Sequence, residues 1–202
     1  MNKQWISQLA ANIEDKHGKE KRDRIFGNIN DIQGSPEFLS AWFENFTTGM
    51  DELDDKEYLQ RMMANHCPCG GDYEKDGLAY KEIYDKSDTL VKFVDGIIEW
   101  HFDKYGDMDE MELRGNVLYM TKPLGGCTDT GSCGKGCHCW LAMHANNLVS
   151  DIFCHCCTIG HTGRPFNVAF GDGIKMELVE SIVGGGKKCI MSIHLPEKIQ
   201  II

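Results

Sequence analysis

Apolar residues recur at helical spacing through the first half of the chain and predict a series of amphipathic helices. Ser35 before Pro36, Asp54, and Asp88 with Thr89 are the start signals of three of them. A further helix is predicted over 22–32 and ended by Gly34. The predicted apolar faces are Trp5, Ile6, Leu9 and Ile13; Phe38, Leu39, Trp42, Phe43 and Phe46, ending at Gly49; Tyr58, Leu59, Met62 and Met63; and Leu90, Phe93, Val94, Ile97, Ile98 and Phe102.

The second half has the shorter, alternating runs that are typical of strands. Residues 115–121 predict one strand, and residues 139–144 and 150–157 predict two short ones. Residues 162–170 predict a short helix that contains Pro165. Residues 174–183 and 189–193 flank Gly184-Gly185-Gly186 and predict a C-terminal β-hairpin. Helices first and strands later indicate an α+β fold, with a helical region over 1–66 and a cysteine-rich α+β domain over 67–202 in one compact unit.

Charge and hydropathy limit the partners and the cellular compartment that we expect for this protein. The formal net charge is −10, and no basic face is visible, which excludes nucleic acid and anionic membranes as expected partners. No apolar run approaches the ~20 residues that a membrane-spanning helix needs. The first residues lead into a charged stretch and not into the apolar core of a secretion signal. We therefore expect a cytoplasmic protein.

The ten cysteines are the outlying feature of the composition. In a reducing compartment, clustered cysteines more often bind metal than form disulfides, although disulfides or plain buried thiols remain alternatives. In an extended segment, a Cys-X-Cys pair places both sulfurs on one face, so each pair can offer two ligands to one centre. Zinc or an iron–sulfur cluster suits such thiolates. The candidate metal ligands form three clusters: Cys67 and Cys69; Cys127, Cys133, Cys137 and Cys139; and Cys154, Cys156 and Cys157.

The remaining candidates are weaker. His138 and His155 sit between paired cysteines and would point to the opposite face of a strand, which favours a role outside the ligand set. The position of His66 before its cysteine pair favours neither a metal-ligand role nor an ordinary structural one. His161 could serve as a metal ligand or as an acid–base group, and the alternative is an ordinary surface or helix-start histidine. Cys189 is expected to be a small buried apolar side chain. No arrangement of nucleophile, base and acid can be identified.

Two segments carry a family resemblance. Two stretches resemble the last part of the 4-vinyl-reductase-like superfamily: Phe153-Cys154-His155-Cys156-Cys157, and Glu177 to Ile193, which ends in Gly185-Gly186-Lys187-Lys188-Cys189-Ile190-Met191-Ser192-Ile193. Its neighbours include the L-2-amino-thiazoline-4-carboxylic acid hydrolase-like family. The Asp and the aromatic residue of the closing motif are missing here. The resemblance implies an α+β domain whose curved antiparallel sheet holds a small-molecule pocket, with a cysteine-linked metal site. It assigns no catalytic residue.

Together these features predict a metal-thiolate protein that binds a metal ion and a small molecule and acts as a sensor, carrier or accessory protein. An enzyme is the main alternative, either a metal-dependent hydrolase or an iron–sulfur redox protein. A catalytic zinc usually has three protein ligands and one open position, and the surplus of cysteines fits closed sites or clusters better. A third possibility is that the metal only joins loops and the helices present a partner surface.

Overall fold

A computed structural model describes residues 3–27, 36–66, 72–105, 110–122 and 151–198. The α-helices in these ranges are α1 (Lys3–His17), α2 (Lys19–Phe26), α3 (Pro36–Asp51), α4 (Lys56–Asn65), α5 (Tyr73–Lys86), α6 (Leu90–Tyr105), α7 (Ile152–Cys154) and α8 (Arg164–Phe170). The π-helix His155–Thr162 continues directly from α7. The strands are β1 (Glu110–Arg114), β2 (Val117–Thr121), β3 (Met176–Glu180) and β4 (Ile190–His194). The predicted α+β class is confirmed.

Helices α1 to α4 bury their predicted apolar faces in one cluster, here called the first core. Its members include Ile6, Leu9 and Phe46, each fully buried. The side chains of Phe38 and Leu39 lie outside the described residues. Two helix ends were predicted wrongly. Helix α2 stops at Phe26 because Gly27 adopts a φ of 58°, and α3 continues past Gly49 to Asp51.

Helices α5 and α6 begin the second half of the structure. Helix α6 begins at Leu90 as predicted, and Phe93 and Ile97 are fully buried, but Phe102 is 63% exposed and was wrongly placed on the buried face. Helix α5 was not predicted. It packs tightly on α8 at Gly77, where an added Cβ would lie 2.3 Å from the Val168 Cβ.

The four strands form one antiparallel sheet in the order β1-β2-β4-β3. Leu118 pairs with Ile193 and Met120 with Met191, and all four are buried on one face of the sheet. They form a second cluster, here called the second core, with Tyr80 of α5, Phe93 of α6 and Phe166 of α8. The C-terminal hairpin of β3 and β4 is confirmed, with Gly185 at a φ of 91° in its turn. Strand β1 was not predicted, although its residues alternate strictly between exposed and half-buried.

Residues 152–162 are helical, so the strand predicted over 150–157 is wrong. The Gly163 N–H donates to the Thr158 carbonyl at 3.1 Å, an i to i+5 bond of the π type. Pro165, in the first turn of α8, has no N–H to donate, and its ring would clash with the carbonyl four residues earlier. The α-helical pattern therefore cannot continue through this point. The strand predicted over 139–144 lies outside the described residues.

The α7–π segment lies between the two cores. Phe153 and Cys156 belong to the first core, whereas Ile159 belongs to the second. The domain boundary at residue 66 stays a prediction. Among the helices of the described ranges, none combines the length and the apolar character that crossing a membrane would require.

Candidate functional site

Cys157 and Lys122 meet at the π-helix. The backbone N–H of Lys122 donates to the Cys189 carbonyl at 3.0 Å, which extends the pairing of β2 with β4 by one hydrogen bond. From this fixed position the Lys122 Nζ reaches the π-helix, where it donates to the Cys157 carbonyl at 2.8 Å and lies 3.2 Å from the Cys157 Sγ. The sheet thus delivers a positive charge to one sulfur of the third cysteine cluster.

His161 lies four residues after Cys157, about one turn along the π-helix. The Tyr73 hydroxyl and the His161 Nδ1 are 2.5 Å apart, and the two rings meet edge to face with centroids 5.3 Å apart. The Arg164 guanidinium covers the Tyr73 ring at 5.1 Å. The first residue of α5 and the first residue of α8 therefore hold this end of the π-helix.

The charge state of His161 follows from its surroundings. Burial lowers the pKa of its imidazole, and the Lys122 ammonium lowers that pKa further, while the Asp76 carboxylate acts in the opposite sense. A neutral imidazole can accept a hydrogen bond from the Tyr73 hydroxyl at Nδ1 and leaves Nε2 with its proton. The contact with Tyr73 thus favours the neutral form of His161 with its proton on Nε2.

Gly160 sets the distance between the π-helix and α4. A Cβ at this position would lie 2.2 Å from the carbonyl oxygen of Ala64 and 3.0 Å from its Cα. Only glycine permits this approach of two backbones. The end of α4, which leads into the first cysteine cluster, is thereby fixed against the element that carries the third cluster.

The predicted ligands fall into two groups. Cys67, Cys69, Cys127, Cys133, Cys137 and Cys139 lie outside the described residues. Cys154 and Cys156 are only 5% and 4% exposed, and Cys156 packs in the first core, whereas Cys157 is half-buried. Within the described ranges, no group of three or more His, Cys, Asp and Glu side chains lies close enough to hold one metal ion.

The geometric reason for pairing Cys154 with Cys156 does not hold in a helix. Residues two apart in an α-helix are about 200° apart around its axis, so their sulfurs point to different sides. Cys157 differs from the other two cysteines of this cluster because it is half-buried and its sulfur contacts the Lys122 ammonium. The assignment of all three sulfurs as ligands stays a prediction.

The structure also shows the contacts or the burial of three other residues considered in the sequence analysis. His66 ends α4, and its ring Nε2 lies 2.9 Å from the Asn12 amide nitrogen, while the Trp5 indole donates to its carbonyl. Burial lowers the pKa of the half-buried His155, with Asp151 opposing and Lys56 adding to the effect. Cys189 is 7% exposed and directly precedes β4, which confirms its predicted burial. His138 lies outside the described residues.

Two residues of the site were missed in the sequence. Lys122 follows the last residue of a predicted strand, and Tyr73 follows the first cysteine cluster. Each meets its partner across a long stretch of chain, 35 residues for Lys122 and 88 for Tyr73. The only local signal was their position next to cysteine-bearing segments.

Comparison with known proteins adds one match. The model of a family of unknown function, DUF6144, matches residues 134–200, about a third of the chain. This stretch contains the π-helix, α8 and the C-terminal hairpin, but neither Lys122 nor Tyr73. No curated protein and no solved structure matches the chain.

Three half-buried histidines give the stability of the fold a testable pH dependence. Burial is the main reason why the pKa values of His101, His155 and His161 lie below the ordinary 6.5. The unfolded chain then takes up these protons at a higher pH than the folded chain. The stability is therefore fully present above about pH 6.5 and is lost as the pH falls through the lowered values.

We expect the free energy of unfolding to decrease between about pH 7 and pH 5, a range above the one in which carboxyl groups of lowered pKa, such as that of Glu180, titrate. His161→Gln should remove part of this decrease because it removes one of the three titrating groups. Urea unfolding at a series of pH values measures both effects. An unchanged pH profile in the variant would contradict the expectation.

Proposed function

We propose that the protein is a metal-thiolate protein of the cytoplasm, with zinc or an iron–sulfur cluster bound by its cysteine clusters next to the π-helix. We assign it a sensor or accessory role with a small-molecule ligand. Membership of the 4-vinyl-reductase-like superfamily is part of this proposal, and the α+β fold and the C-terminal hairpin are consistent with it.

The observation that carries the proposal is the contact of the π-helix with residues that border the other two cysteine segments. Ala64, three residues before Cys67, meets Gly160. Tyr73, four residues after Cys69, meets His161. Lys122, five residues before Cys127, meets Cys157. The three contacts bring described residues that border the first and second clusters against the element that carries the third.

The chemistry at Cys157 supports the same proposal. Thiolates are the protein ligands that zinc and iron–sulfur centres use, and hydrogen bonds to the sulfur tune such centres. The Lys122 Nζ lies where it can donate one to Cys157. Its positive charge would offset part of the negative charge that several thiolates bring to one ion.

A groove between α5 and α8 supports the small-molecule part. It has a volume of about 780 Å³ and is lined by Tyr73, Leu78, Arg164 and Val168 among others. Leu78 and Val168 are exposed apolar side chains, and Arg164 can bind a carboxylate. The groove begins at Tyr73, the residue that contacts His161. A ligand there would lie beside the proposed metal centre.

An enzyme remains the second candidate because of the Tyr73–His161 pair. A neutral histidine bonded to a tyrosine hydroxyl is suited to proton transfer, and a metal-bound water is a common partner of such a group. In this alternative, the protein would be a metal-dependent hydrolase or an iron–sulfur redox enzyme. His161→Gln would then abolish turnover while leaving the metal content unchanged.

Cys157→Ser is expected to lower the metal content of the purified protein. A serine hydroxyl is a poor ligand for the soft and borderline metals that thiolates bind, so one ligand is lost. The measurement is elemental analysis of anaerobically purified protein, together with its visible absorption spectrum. Charge-transfer bands would indicate an iron–sulfur cluster, and a colourless protein with stoichiometric zinc would indicate closed zinc sites.

Cys189→Ser is the matched control, since Cys189 is buried and outside the proposed ligand set. It should leave the metal content unchanged, although it is expected to cost some stability. A wild-type protein that contains no metal and ten reactive thiols would overturn the proposal. Equal metal content in the Cys157→Ser variant and the wild type would remove Cys157 from the ligand set.

A further inference from the structure

The Lys122 amine is held against the Cys157 sulfur by two contacts. Its Nζ lies 3.2 Å from Sγ and 2.8 Å from the carbonyl oxygen of the same residue. The backbone of Lys122 is itself fixed by its bond to the Cys189 carbonyl. We propose that Lys122 and Cys157 form an oxidisable pair that closes into a covalent sulfur–nitrogen cross-link.

Cys157 is the most exposed of the described cysteines and is therefore the one that we expect an oxidant to reach. Cys154, Cys156 and Cys189 are between 4% and 7% exposed, and Cys156 packs among apolar side chains of the first core. Cys157 is half-buried, so a small oxidant can reach its sulfur. Oxidation of cysteines is favoured where the sulfur is exposed. The Lys122 Nζ, 3.2 Å from Sγ, is close enough to attack this sulfur once it is oxidised.

The reaction needs one equivalent of a peroxide. The Cys157 sulfur attacks the peroxide O–O bond, which forms a sulfenic acid and releases water. Nζ, after giving its extra proton to solvent, attacks the same sulfur with its lone pair. The S–O bond breaks, and the departing hydroxide leaves as water with a second proton from nitrogen. The product is an S–N bond, as when a sulfenic acid condenses with a backbone nitrogen.

A thiol reverses the modification. It attacks the sulfur and breaks the S–N bond, which restores the Lys122 amine, and a second thiol then reduces the mixed disulfide. In the cross-linked state, the Cys157 sulfur is no longer a thiolate and cannot donate to a metal. This regulatory consequence rests on the proposed metal-thiolate function, whereas the cross-link itself does not.

The test uses the full chain in the reduced state, both as purified and after metal removal with a chelator. Each sample is treated with one equivalent of hydrogen peroxide, digested without reductant and mapped by mass spectrometry. We expect the peptide with Lys122 joined to the peptide with Cys157, two hydrogens lighter than their sum. This product should account for most of the modified Cys157 in the metal-free chain and should be released by a thiol reductant.

Lys122→Arg keeps the positive charge but should reduce the cross-link by at least about tenfold, because a guanidinium is not deprotonated in proteins. Lys81→Arg, on the exposed face of α5, is the matched control and should give the wild-type yield. Recovery of Cys157 as a disulfide or a sulfinic acid without Lys122 attached would overturn the inference, and so would an undiminished product in Lys122→Arg. Metal analysis of untreated Cys157→Ser tests the proposed function separately, so the two failures can be told apart.

Discussion

Gly160→Ala is expected to lower the free energy of unfolding by about 3 kcal/mol, at the upper end of the usual cost of overpacking. The new Cβ would lie 2.2 Å from the Ala64 carbonyl oxygen and 2.9 Å from the carbonyl carbon. These are backbone atoms at the end of α4, so no side-chain rotation can relieve the clash. The π-helix and α4 would have to separate. Urea unfolding followed by circular dichroism measures the loss.

Gly173→Ala is the matched control because a Cβ there meets no heavy atom within 4 Å. We expect its free energy of unfolding to stay within about 0.5 kcal/mol of the wild type. Equal losses in the two variants would show that the change reflects glycine replacement in general and not the contact with Ala64. Gly160→Ala should also weaken the Tyr73–His161 contact, since His161 is the next residue along the π-helix.

The helices of the first core could be predicted because each buries one face against one cluster. Ile6, Leu9 and Ile13 in α1 recur at helical spacing, and all three are fully buried. The assignment of Phe102 to the buried face of α6 was wrong. Phe102 follows Phe93 by nine residues, which places it about 180° away around an α-helix, and it is 63% exposed. An apolar residue near the end of a helix joins the buried face only where its spacing brings it to that side.

Helix α5 was missed because its buried face is not a row of large apolar residues. It contains Asp76, Gly77 and Tyr80. Gly77 is buried because α8 packs directly on its backbone, and a glycine gives no apolar signal in the sequence. Asp76 is buried with the Lys104 ammonium as its ion-pair partner. Close backbone packing and paired charges are properties of the tertiary structure, and a local pattern does not contain them.

The site was predictable only in part. The cysteine clusters identified residues 154–157, but their alternation of cysteines suggested a strand where the chain is helical. Pro165 and Gly160 were visible in the sequence, and together they favour an interrupted helix. Lys122 and Tyr73 could not be placed because their contacts join distant segments. A long-range contact of this kind depends on the sheet and on α5, and not on neighbouring residues.

Phe153→Ala is expected to cost about 3–5 kcal/mol of unfolding free energy, the usual range for removing a buried aromatic ring. Phe153 is 2% exposed and meets three aromatic residues edge to face, with centroid distances of 4.3 Å to Phe43, 5.2 Å to Phe46 and 6.0 Å to Trp5. The loss would combine the transfer free energy, these ring contacts and the cavity left behind. Urea unfolding measures it.

The variant also addresses how the two cores depend on each other. Ile152, Phe153 and Cys156 are the residues that the second half of the chain contributes to the first core within the described ranges. Without the Phe153 ring, helices α1 to α4 are held less firmly to the π-helix, so Trp5 and Trp42 fluorescence should change at lower urea concentration than in the wild type. Phe102→Ala is the control, since that ring is exposed and should cost less than about 0.5 kcal/mol. A Phe153→Ala variant as stable as this control would mean that the first core does not need the α7–π segment, and that the contact between the halves lies elsewhere.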